Sequence, residues 1–320
     1  MTNFQIYKKT ISFSFLMFLV SLLALFIVAL CVSAGFFIGN NVNNEYGFAI
    51  GLVIGLVIGI ILASLINIFV TNRIKAAQIS MMVKGVIEGE LPDHTFKAGF
   101  EEIKGRFGKI TGFYFITRAI KGIFRQLGRG INRIGKAVGG QIGDAVTSAI
   151  DSAIQTLVSY LCDCCLGWIL FRKDQNVARA GCEGAVIFFK HGKTLIRNVG
   201  RIFGMGFLSL LLIGGAIFGL SYFIFTLTPG MFETLSQAIF NASSDASEWI
   251  SDPNMLMIYV AAIIGIVLWS ILHSVLIRPF ILVGVMRNYM EAGQKDMPKE
   301  SDFAELANKS PRFAKLANNM

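Results

Sequence analysis

At 320 residues, 54% of them hydrophobic and with a mean hydropathy of +0.63, the chain is too apolar for an ordinary soluble domain. Its net charge of +9 invites a nucleic-acid reading. The placement of the 29 Lys and Arg removes that reading. None falls in the two short segments 39–46 and 229–254, whose only charges are Glu45, Glu233, Asp245, Glu248 and Asp252.

Lys8 and Lys9 precede a first apolar run, Ile11–Ile38. A second, Gly47–Val70, follows closely. Each exceeds the roughly 20 helical residues that cross a hydrocarbon core. Val32-Ser-Ala34 would pass as a signal-peptidase site. The first run is nonetheless longer than a usual signal core, and the second run needs a partner, so we read both as spans. In the second run Gly47, Gly51, Gly55, Gly59 and Ala63 recur every fourth residue. This lays a smooth stripe down one helix face and predicts a tight helix–helix seam, within the chain or between copies. Ser64 and Asn67 are polar residues near its inner end.

Residues 72–202 hold twenty Lys/Arg, from Arg73 to Arg201. Apolar residues at Ile116, Ile120, Ile123, Leu127, Ile131, Ile134 and Val138 keep helical spacing, and the pattern runs on through Ile142, Val146, Ile150, Ala153, Leu157 and Leu161. Opposite them stand Lys121, Arg125, Arg129 and Arg133. Like charges at that spacing repel on an isolated helix, and an anionic inner leaflet would relieve them. The segment is therefore expected to lie on the membrane as an interfacial helix, the alternative being a helix packed across the inner face of a bundle. Residues 142–171 grow more apolar and end in Trp168-Ile-Leu-Phe171, but Asp144, Asp151 and Asp163 argue against a fifth span. A membrane-hugging or re-entrant helix is the expectation. Cys162-Asp-Cys-Cys165 lacks the Cys-x-x-Cys spacing of a metal site. Cys162, Cys164 and Cys165 are candidates for acylation beside the membrane, against the alternative of small packing residues.

The third and fourth runs are Phe203–Thr228 and Met255–Ile277. His273 lies near the inner end of the fourth, beside Trp269 and Ser274. A polar residue inside a span is a functional candidate, so Asn67 and His273 are read together as a possible transport path. His94 and His191 sit in no recognisable motif. From Pro279 onward a polar, helical tail carries no catalytic signature, and Pro279 predicts a kink. The sequons at Asn241 and Asn308 fall one on each predicted side and support no conclusion.

The chain also repeats itself. The first pair of runs leads to Val83-Lys-Gly-Val-Ile-Glu-Gly89, then Phe100-Glu-Glu-Ile103 and Arg106-Phe-Gly-Lys-Ile110. The second pair leads to Met286-Arg-Asn-Tyr-Met-Glu-Ala-Gly293, then Phe303-Ala-Glu-Leu306 and Arg312-Phe-Ala-Lys-Leu316. The expected fold is an all-α integral membrane protein of four transmembrane helices, built as two duplicated hairpins plus cytosolic amphipathic helices. Its parts are a first hairpin (1–71), a basic inner region (72–202), a second hairpin (203–278) and a helical tail (279–320). The bias of Lys and Arg sets both termini on the cytosolic side.

The C-terminal half carries Cys164-Cys-Leu-Gly-Trp168, Asn176-Val-Ala, Cys182-Glu-Gly-Ala185 and Ile196-Arg-Asn198 in that order, then a span, a loop, a last span with His273-Ser-Val275 and a polar tail. This resembles the C-terminal part of the choline-transporter-like family. The resemblance implies transport of a cationic metabolite such as choline. The residues themselves leave two classes. One is transport or conduction by an oligomer, with no cofactor and no catalysis. The other is a non-catalytic scaffold whose basic inner surface binds anionic lipid or a protein partner. The glycine stripe is a natural contact for a homo-oligomer or a membrane-complex partner in either class.

Overall fold

The computed structural model describes residues 1–41, 47–104, 122–123, 144–196, 199–242 and 252–318, and every regular element among them is helical. In chain order these are α1 (Asn3–Asn40), α2 (Gly47–Ile66), α3 (Asn72–Ile87), α4 (Thr95–Lys104), α5 (Asp144–Phe171), α6 (Val177–Ile196), α7 (Val199–Ser209), α8 (Gly215–Thr226), α9 (Pro229–Ala242), α10 (Pro253–Leu272), α11 (Arg278–Lys295), α12 (Glu300–Lys309) and α13 (Pro311–Ala317). Three π-helical turns, Asn67–Thr71, Leu210–Gly214 and His273–Ile277, join α2 to α3, α7 to α8 and α10 to α11. Four continuous helices are long and apolar enough to cross a membrane: Asn3–Asn40, Ala49–Ile87, Ile202–Thr226 and Pro253–Lys295.

The chain forms two compact units. The first contains Met1–Val199 and Pro279–Met320, the second Gly200–Arg278. The expected inner region and tail thus join the first hairpin in one unit, and the second hairpin stands as its own.

In the first unit α1 begins at a capping box, where Thr2 Oγ1 accepts from the Gln5 amide and Gln5 Oε1 accepts from the Thr2 amide. Its first turns are not free. Ile6, Thr10, Phe13, Ser14 and Met17 are buried. Gln78 of α3 donates to Ser14 Oγ at 2.9 Å and to the Thr10 carbonyl at 3.3 Å. The apolar run read as starting a span at Ile11 therefore first packs against protein. Gly89, at φ +75°, turns the chain between α3 and α4, a backbone state that glycine adopts without strain.

The second half of α5 is the centre of this unit. Val158, Tyr160, Leu161, Cys164, Cys165, Leu166, Trp168, Ile169 and Leu170 are all buried. A helix apolar on every side is one enclosed by other helices, and each such large side chain contributes roughly 1.5–3 kcal/mol by burial. This corrects the expectation of a membrane-hugging or re-entrant helix: α5 owes its hydrophobicity to neighbouring protein. Asp163 is accommodated too, lying 2.6 Å from Lys75 Nζ. At Gly167 a Cβ would strike Val83 of α3 and Met286 of α11, so this glycine permits the close approach of both helices.

The tail closes on α6. Phe303, Leu306 and Phe313 pack with Cys182, Ala185, Val186 and Ile123. Lys190 holds Asp296 at 2.9 Å and Asp302 at 3.0 Å. Ile123 belongs to the long amphipathic pattern, and it is buried in protein.

Candidate functional site

The two hairpins are held by different contacts. In the first, α1 and α2 meet backbone to backbone. A Cβ at Gly35 would overlap the Gly51 carbonyl, one at Gly39 the Gly47 carbonyl, and one at Gly55 the Cys31 carbonyl. At Gly59 it would come within 3.0 Å of Val28 Cα. Gly47, Gly55 and Gly59 are buried, and Gly51 and Ala63 are half-buried. The predicted seam is present and closes within the chain, so the stripe is not left open for a second copy. The reason is legible in α1, where Gly35 and Gly39 stand four residues apart and match the stripe. That pair escaped the sequence reading because attention fell on the longer run of glycines.

In the second unit the seam is made by side chains. The Nε1 of Trp269 on α10 donates to Ser209 Oγ at 3.2 Å, and Ser209 in turn donates to the Gly206 carbonyl at 2.8 Å. The Trp269 and His273 rings lie 5.2 Å apart. A Cβ on Gly206 would stand 3.7 Å from His273 Nε2, an ordinary van der Waals distance, so Gly206 and His273 face each other closely. Gly265 lets α10 approach α8, a Cβ there falling 3.3 Å from both the Gly214 carbonyl and Phe218 Cβ. Ser209 is buried, while Trp269 and His273 are half-buried. Two of the three π-helical turns border this cluster: Leu210–Gly214 follows Ser209, and His273 opens the other. Such turns widen a helix by one residue and recur at functional sites. The one at His273–Ile277 has a local cause, since Pro279 has no N–H to give to the Val275 carbonyl one turn back.

The Ser209 hydroxyl and the Trp269 N–H are engaged with each other and with the Gly206 carbonyl, and the His273 imidazole stands half-buried beside them. They include no nucleophile with an adjacent base. Ser209 was missed in the sequence, although the rule that singled out His273, a polar side chain within an apolar run, applies to it equally.

The other predicted residues fare as follows. Asn67 belongs to the first unit, where it opens the π-helical turn after α2 and is exposed. Lys121, Arg125, Arg129 and Arg133 lie outside the described residues. Cys162, Cys164 and Cys165 are buried, at 7%, 0% and 0% exposure. Desolvation pushes the Cys164 and Cys165 thiols well above their ordinary range, and burial with Glu183 nearby pushes Cys182 up to about 12. A buried neutral thiol is neither reachable nor nucleophilic, which favours the alternative of small packing residues over acylation. Cys165 instead donates to the Gly181 carbonyl at 3.5 Å, and Tyr289 to the Gly184 carbonyl at 2.5 Å. Glu183, also buried, accepts from Trp168 Nε1 at 3.0 Å and pairs with Arg172 at 3.3 Å. Among the described residues no group of three or more His, Cys, Asp or Glu could hold a metal ion.

No protein-family model matches the chain, and searches of curated proteins and of solved structures return no match.

Proposed function

We infer that the chain is an integral membrane protein with both termini on the inner side, and that its second hairpin provides a path for a small polar or cationic solute. The observation that carries this reading is the Ser209–Trp269–His273 cluster, a set of polar and aromatic groups inside an otherwise apolar hairpin. Polar groups kept within membrane helices are costly and are retained for function. The resemblance of the C-terminal half to choline-transporter-like proteins favours a cationic metabolite as the solute.

The topology rests on two supports. Every Lys and Arg lies outside the two short connections. The chain's beginning and its tail also meet in one unit, Arg287 donating to Asn3 Oδ1 at 2.7 Å and to the Met1 carbonyl at 2.8 Å. The duplication is supported by parallel order. In each half an apolar helix passes through a π-helical turn into a buried helix and then a short one: α2, α3 and α4 in one half, α10, α11 and α12 in the other.

A scaffold is the second reading. It is favoured by the first hairpin, whose seam is dry backbone contact, and by the compact body built on α3, α5 and α11. Uptake into proteoliposomes decides between them. Transport predicts entry of a quaternary ammonium ion, or of Na⁺ or K⁺, above protein-free vesicles. No uptake of any of these would leave the scaffold.

A further inference from the structure

One face of α1 is packed at both ends and half-buried between them. Ile6, Thr10, Phe13 and Met17 are buried on it, and Gly35 and Gly39 continue it into the seam with α2. The opposite face is bare. Phe4, Phe15, Phe26 and Phe37 stand there at intervals of eleven residues, 61%, 61%, 60% and 66% exposed, with Ile11, Leu19 and Leu30 between them.

Lipid alone is a poor cover for this stripe. From Phe4 to Phe37 it runs about 50 Å at 1.5 Å per residue. An upright helix meets only about 30 Å of hydrocarbon. At a tilt of about 40°, the upper end seen in membranes, it meets about 39 Å. Some of these rings must therefore leave the hydrocarbon for a region where lipid tails no longer cover them. Lipid also imposes no period, whereas an eleven-residue repeat is that of a helix pairing with another helix in a right-handed supercoil.

We propose that this stripe is the contact between two copies of the chain, α1 against α1. Copies inserted in one membrane share their orientation, so a twofold axis along the membrane normal sets the two helices parallel and in register, each Phe opposite its counterpart. Aromatic side chains bury about 150–250 Å² each. At the observed exposure four of them offer on the order of 500 Å² per copy, and Ile11, Leu19 and Leu30 bring this near the roughly 800 Å² per partner of a stable interface. Lys8 shares the stripe, and its long stem lets the ammonium swing clear. The inference rests on the membrane insertion proposed above and is independent of transport.

Cysteine crosslinking in native membranes tests it. The thiols of Cys162, Cys164, Cys165 and Cys182 are buried, so a Cys31→Ser background has no competing exposed sulfur. Under mild oxidation Phe15→Cys and Phe26→Cys should each give a covalent dimer. Ile61→Cys, equally bare on α2, should give none. The Phe15→Cys band should disappear when Phe4, Phe26 and Phe37 are changed to alanine. Absence of a band at Phe15→Cys or Phe26→Cys, meaning that lipid or another part of the chain covers the stripe, overturns the proposal, as does an equal band at Ile61→Cys. Carbonate extraction of the same membranes reads insertion separately. Protein released by carbonate sinks the membrane reading, while the bands still report on the pairing.

Discussion

The first hairpin and the second are held together in different ways. In α1 and α2 the glycines of the seam lie against backbone atoms of the facing helix, Gly35 and Gly39 against Gly51 and Gly47, and Gly55 and Gly59 against Cys31 and Val28. In α7, α8 and α10 the contact includes a Trp–Ser hydrogen bond beside a histidine, with Gly214 and Gly265 at the crossing. A seam of carbonyls and Cα atoms has no side chain that can move and no group that can bind. A seam of side chains has both. The comparison makes the first hairpin the more rigid and leaves the second the one with polar side chains in its seam.

The largest effect expected is at the first seam. Gly51→Leu places a Cβ on the Gly35 carbonyl, which cannot move without parting the helices. Overpacking typically costs about 1–3 kcal/mol, and the backbone partner puts this case at the upper end or beyond. Gly215→Leu in α8, where a Cβ meets nothing within 4 Å, should stay within about 0.5 kcal/mol. Thermal unfolding in detergent compares the two, and equal losses would dissolve the distinction.

A smaller effect is expected in the second seam. Trp269→Phe keeps the ring and loses the hydrogen bond to Ser209, a change of about 0.5–1.5 kcal/mol. If this hairpin were as rigidly built as the first, the loss would be several times greater.

The smallest effect concerns the tail, which belongs to the unit of the first hairpin. Lys190 holds the Asp296 carboxyl below its usual range, while the Lys299 amide and then Lys190 do the same for Asp302. The hydrogen bond to Asp296 in turn raises Lys190. A depressed carboxylate stabilises above its ordinary value of 3.8 and loses that contribution as pH falls through the folded value. A raised lysine stabilises below 10.5 and loses it as pH rises through the folded value. Docking of α12 and α13 should thus be unchanged from about pH 5 to 9 and weaken outside that window. Limited proteolysis of the tail reads this, and a Lys190→Met variant should be cleaved faster at pH 7.

Much of the fold was legible. Four uncharged runs predicted four long apolar helices, and Gly47, Gly51, Gly55 and Gly59 predicted a seam. The errors share one cause. Hydrophobicity reports exclusion from water and does not say whether lipid or protein excludes it. Trp168 and the cysteines of α5 read as membrane neighbours and are core, and the first turns of α1 read as span and are packed under α3. Asp163 argued only against a fifth span, because its partner Lys75 is distant in sequence and the buried pair shows only in the fold. Ser209 needed the crossing of two helices to acquire meaning.

The proposed division of labour between the hairpins is tested most directly by solute uptake in proteoliposomes carrying His273→Phe or Ser209→Val, set against Asn67→Leu at the π-helical turn after α2. With folding verified, uptake should collapse for the first two and remain near the unaltered protein's for Asn67→Leu. Undiminished uptake in His273→Phe and Ser209→Val, or an equal collapse in all three, would contradict the account.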